Sequence, residues 1–152
     1  MMRTSNGGFT LVEILIVVVI LGILAAIVIP QFTQASTEAR ESSLVSNLQT
    51  IRSQIELYKI QHNDNPPTDA TTFEAQMTGL TDVDGNAAAA PGPGVFGPYL
   101  QKIPVNPFTP GNNNVAGAAG DSWRYTNYGN GSYTFIANDG GSCPDGTAHA
   151  DL

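Results

Sequence analysis

Residues 14 to 29 are apolar without exception, Gly22 included, and Phe9, Leu11 and Val12 extend the run backwards with only Thr10 and Glu13 interrupting it. As a helix, the 21 residues from 9 to 29 would be roughly 32 Å long at about 1.5 Å per residue, the thickness of a bilayer's hydrocarbon core. The segment is therefore predicted to span a membrane. Beyond Pro30 the pattern turns amphipathic. Ala35, Ala39, Leu44, Leu48, Ile51, Ile55 and Tyr58 share one helix face, whereas Glu38, Arg40, Glu41, Gln49, Arg52 and Glu56 lie largely off it. Pro30 removes a backbone donor and crowds the preceding turn, and Gly22 weakens the helix in the same region. A bend or local loosening is expected there, without an end to the helix. The end belongs near "HNDNPP", residues 62 to 67, where asparagines and a proline pair cannot continue it.

In the second half, "TDATTFEAQMTGL" (68 to 80) reads as a short helix with an N-cap from Thr68 or Asp69 and a stop at Gly79. "GNAAAAPGPGVFGP" (85 to 98) reads as an irregular surface loop, and the prolines of "PYLQKIPVNPF" (98 to 108) forbid a central strand. "SWRYTNYGNGSYTFIA" (122 to 137) carries two aromatic and β-branched runs around Gly129-Asn130-Gly131, which predicts a β-hairpin. Alternation places Trp123 and Tyr125 on one face of its first strand and Tyr133 and Phe135 on one face of its second. Those faces are suited to cover the amphipathic half of the stem. The fold class that follows is α+β: a long N-terminal helix, membrane-spanning and then amphipathic, packed on a small antiparallel β-sheet head.

Composition narrows the function. Thirteen acidic against six basic residues give a net charge of -7, with the cations scattered, which argues against a nucleic-acid surface. Cys143 is the sole cysteine, so no intramolecular disulfide can form, and it reads as a bland small residue. His62 and His149 lack other metal-type ligands at useful spacing and read as surface histidines. The tail "NDGGSCPDGTAHADL" sets Asp139, Asp145 and Asp151 among glycines, a composition able to gather oxygen ligands around calcium, with Asp139 and Asp145 as the candidates, or simply to remain a solvated tail. The sequence presents no Ser/His/Asp arrangement, phosphate-binding loop, His/Cys cluster or paired catalytic carboxylates, so the reading is not an enzyme.

Glu13 is the residue that needs a reason, because a charge in lipid costs up to about 3 kcal/mol at mid-bilayer and less near the interface. A plain anchor has no use for it. A signal peptide, with Arg3 in its n-region and Thr33-Gln34-Ala35 as a small-residue site, would have an unusually long apolar segment. A buried core helix of this size would be hard to cover with the polar remainder of the chain.

Gly8-Phe9-Thr10-Leu11-Val12-Glu13, followed by a long apolar helix with Gly22 and Pro30, resembles the N-terminus of the type IV prepilins and the pseudopilins of type II secretion. The resemblance is specific over residues 7 to 40 and weak beyond about 60; "YLQKIPVNPF" and the missing disulfide loop bring it nearest to the major pseudopilins. It implies a leader, residues 1 to 8, that a prepilin peptidase removes between Gly8 and Phe9 before methylating the Phe9 amine. It also implies a transmembrane and polymerisation helix over 9 to 30, an amphipathic stem over 31 to 62, and a head over 63 to 152. The family's partners would be other copies of the chain in a helical filament, minor pseudopilins, and an inner-membrane assembly platform with its ATPase motor. The expected location is the bacterial inner membrane, single-pass with the head outside the cytoplasm, then a periplasmic or cell-surface filament. In the family, the stem partly melts near Gly22 and Pro30 on assembly, and major pseudopilins hold calcium in their C-terminal loops.

Cleavage gives Glu13 a partner. The new α-amine, which ordinarily titrates near pH ~8, is charged at neutral pH, and methylation keeps the charge. Phe9 and Glu13 are four apart on one helix face, so the pair can form within a subunit, or between neighbours in a filament, as the resemblance implies. A type IV pilin for adhesion, motility or DNA uptake is the alternative within this class. A non-polymerising, membrane-anchored binding protein is the alternative outside it.

Overall fold

The computed structural model describes residues 8–115, 121–143 and 146–152. One helix, α1, runs through Leu11–Gln61 and passes Gly22 and Pro30 without interruption. The hydroxyls of Thr33 and Thr37 donate to the carbonyls four residues back, of Ile29 and Thr33, at 3.2 and 3.1 Å. The chain divides into two units, Met1–Ala39 and Arg40–Leu152.

In the first unit the helix has no cover among the described residues. Leu15, Val19, Leu24 and Phe32 are all more than half exposed, and no part of the apolar window is buried. Unpartnered apolar surface on this scale is tolerated in lipid or in a helix bundle, not in water.

The second unit holds the core. Leu44, Leu48, Ile51, Ile55 and Tyr58 are buried at spacings of four and three, as the amphipathic pattern requires. Ala35 and Ala39 are exposed, so burial along the amphipathic face begins at Leu44 and not at residue 35 as the pattern suggested. The expected hairpin forms from β3 (Trp123–Asn127) and β4 (Tyr133–Ala137), antiparallel with Trp123 opposite Ala137 and Tyr125 opposite Phe135. Gly129 and Gly131 take positive φ in its turn, a conformation that a side chain would strain. Trp123 and Phe135 are fully buried with the stem residues, and Phe73 stacks between the hairpin rings, 4.7 Å from Tyr125 and 5.3 Å from Phe135. Arg52 leaves the stem to donate to the carbonyls of Phe135 and Leu152, which ties the second strand and the C-terminus to the helix.

Local expectations shift in three places. The short helix α2 spans Phe73–Thr78, starting later than expected, because Asp69 Oδ1 caps the turn before it by accepting from the N–H groups of Thr71 and Thr72; Gly79 ends it. Within the supposed irregular loop, β2 (Val95–Phe96) pairs with β1 (Thr81–Asp82), a strand pair too short to leave a pattern. His62, expected at the surface, is 1% exposed. Its ring stacks on Tyr58 at 3.7 Å, its Nδ1–H donates to the Tyr58 carbonyl, and its Nε2 lies 3.0 Å from the Thr81 hydroxyl. Both nitrogens are satisfied, which permits burial. The stem ends at Gln61 as expected, with Asn63 and Asp64 at positive φ.

Candidate assembly site

The first helical residue is Leu11, which makes Thr10 the N-cap and Glu13 the third residue of the first turn. The Thr10 backbone N–H and hydroxyl both donate to Glu13 Oε2 at 2.7 Å, and the Glu13 N–H donates back to the Thr10 hydroxyl oxygen at 3.3 Å. This reciprocal arrangement is a capping box. It fixes the carboxylate over the helix N-terminus, where the backbone dipoles favour negative charge. Among the described residues, no hydrogen bond reaches Oε1.

Thr10 is a capping residue that sequence reasoning passed over, although Thr-x-x-Glu before an apolar run is a legible signature of this motif. Gly8 and Phe9 precede the helix in non-helical, exposed chain, with Phe9 83% exposed. In the uncut chain the Phe9 nitrogen is an amide. Glu13 is held by Thr10, one residue from the place where cleavage would create a cation. Gly22 lies mid-helix, and a Cβ there would meet nothing within 4 Å. This helix alone gives no steric reason for a glycine at 22.

At the other end of the chain, Asp139 and His149 are each 2% exposed at the side chain. Asp139 Oδ1 accepts from the Gly141 N–H and lies 2.9 Å from His149 Nδ1, and its Oδ2 accepts from Asn106 Nδ2. Burial alone would raise the Asp139 pKa; the hydrogen bonds from Asn106, Gly141 and His149 outweigh it, so the net shift is downward. Asp145, paired with Asp139 as a possible calcium ligand, lies outside the described residues. His149 is buried, against the expectation of a surface histidine, because Asp139 satisfies one ring nitrogen and Phe108 packs on the ring at 4.3 Å.

An apolar helix start capped by Thr10 and preceded by an exposed Gly-Phe pair, on a chain with a small α+β head, fits a pilin-like subunit anchored by its N-terminus. Residues 3–29 match the family model of the prokaryotic N-terminal methylation motif. Among curated proteins, the chain is 31% identical to the type II secretion system core protein G of Aeromonas hydrophila over 110 residues, 71% of each chain. It is 34% identical to that of Pseudomonas aeruginosa over 110 residues, covering 71% of this chain and 72% of the relative. The Klebsiella michiganensis protein is 33% identical over 108 residues, with 71% and 72% covered. The chain belongs to the type II secretion system core protein G family. No solved structure matches it.

Proposed function

We infer that this chain is the major pseudopilin of a type II secretion system, a structural subunit that is stored in the inner membrane and polymerises into a pilus-like filament. The observation that carries the reading is the Thr10–Glu13 capping box at the head of a helix whose apolar first part is covered by none of the described residues.

Within a bilayer, unsatisfied backbone donors are costly, and the capping box satisfies two of them while giving the Glu13 carboxylate two donors of its own. Once a prepilin peptidase cuts between Gly8 and Phe9, a charged amine appears at residue 9, and methylation retains its charge. The Glu13 oxygen left out of the capping bonds is available to that amine in the same subunit or to the amine of a neighbour. Pairing with a neighbour would fix the axial register of subunits in the filament, and the exposed stem residues would supply its apolar core. Arg3 in the leader favours retention of residues 1 to 8 on the cytoplasmic side, which leaves the head outside. Assembly requires an inner-membrane platform and its ATPase motor, with minor pseudopilins as companions.

The test separates cleavage from assembly. Glu13→Ala is expected to be cut and methylated normally and to yield little sedimentable filament after shearing, since removing one partner of a buried ion pair costs roughly 3 to 5 kcal/mol. Filaments of normal abundance and length from Glu13→Ala would sink the pairing mechanism.

A further inference from the structure

Three side chains far apart in sequence converge in the head: Glu41 on α1, Cys143 in the C-terminal loop, and His149 in the closing 3₁₀ turn (His149–Asp151). A His149 ring nitrogen, the Cys143 sulfur and a Glu41 carboxylate oxygen all lie within 4.8 Å of one another. Proximity alone would mean little. Two further observations point to a ligand.

First, His149 Nε2 and Glu41 Oε1 are buried with no hydrogen-bond partner among the described residues. Burying such atoms unpaired is costly, and a fold that does so twice at one place leaves a demand for a shared electrophile. Second, Asp139 Oδ1 accepts from His149 Nδ1, and Asp139 is itself anchored by Asn106 and the Gly141 N–H. With the proton on Nδ1, the neutral ring presents a lone pair at Nε2. A carboxylate behind an imidazole is the usual way in which a metal-binding histidine is oriented and made more basic.

We propose that Glu41, Cys143 and His149 bind one divalent transition-metal ion of the zinc class, with Asp139 as a positioning residue. The donor set is sulfur, imidazole nitrogen and carboxylate oxygen, which suits Zn²⁺ and does not suit Ca²⁺ or Mg²⁺, ions that take oxygen ligands. Around tetrahedral zinc such sulfur, nitrogen and oxygen atoms stand roughly 3.3 to 3.6 Å apart, so atoms within 4.8 Å of one another need to close by at most about 1.5 Å, with water as the fourth ligand. The thiol must lose its proton on binding, and that proton passes to solvent. The bound ion would staple the C-terminal loop to the stem across more than a hundred residues of chain.

The experiment uses the full-length chain in detergent, stripped with chelator and titrated with Co²⁺ as a spectroscopic stand-in for Zn²⁺. One equivalent of Co²⁺ is expected to give a thiolate-to-cobalt charge-transfer band, which Zn²⁺ abolishes by displacement and Ca²⁺ does not. Cys143→Ser should remove the band and weaken zinc binding at least tenfold. Asp139→Asn should keep the band at saturating metal while weakening affinity about 10- to 100-fold, the usual effect of losing such a carboxylate. Because His149 is buried and its loss risks misfolding, the partly exposed Cys143 carries the test. No charge-transfer band, a band that survives Cys143→Ser, or displacement of Co²⁺ by Ca²⁺ would overturn the proposal.

Discussion

On the proposed function, Glu13 would have two tasks that one carboxylate can perform together. Oε2 caps the helix through Thr10, and Oε1 remains for a cation. Substitution separates these tasks. Glu13→Gln keeps an acceptor for the capping bonds and removes the charge, so it is expected to assemble as poorly as Glu13→Ala; normal filament yield from the glutamine variant would show that capping alone matters. A second carboxylate acts in the head. Asp69 accepts from the Thr71 hydroxyl and the Thr72 N–H, which hold its pKa below the ordinary carboxylate value. A depressed pKa stabilises the fold above the unfolded-state value, and the contribution fades as pH falls through the folded one. Urea midpoints of the native chain and Asp69→Ala should therefore differ most near neutrality, and the gap should narrow on acidification below the ordinary carboxylate range. A gap independent of pH would assign the effect to packing.

Among the elements, the stem and the hairpin carry the fold, and both were legible in the sequence because each is a local pattern. Leu44, Leu48, Ile51, Ile55 and Tyr58 repeat at four and three, and the aromatic alternation of β3 and β4 sets their faces. His62 was misread as a surface residue although it falls four residues beyond Tyr58 on the same buried face, because its place at the helix end hid it. What a single sequence does not display is pairing at a distance. Thr81 makes room for His62, Asp139 for His149, and Glu41 meets Cys143 across the fold. The two-residue strands β1 and β2 are set by their mutual pairing, not by any run of their own. Within the stem, Gly22 has open space around it, so Gly22→Ala should raise helix stability by up to about 1 kcal/mol. If assembly relies on a weakened helix or on close helix packing at that position, the same substitution lowers filament yield while circular dichroism in micelles shows undiminished helix. Unchanged filament yield would remove Gly22 from the assembly mechanism.

For the whole molecule, the net charge is -7 and the apolar residues are concentrated in the first thirty positions of the sequence. Such a chain is suited to wait in a membrane and to leave it only for a bundle of identical stems. That account depends on one covalent event, the creation of an amine at Phe9 beside a carboxylate already held in place. The most direct measurement is the intact mass and N-terminal sequence of the protein recovered from its native membrane and from sheared filaments. The account predicts a chain that starts at methylated Phe9 in both fractions. A chain that still starts at Met1 in the filament fraction, or one cut after Ala35 so that Glu13 is gone, would contradict it.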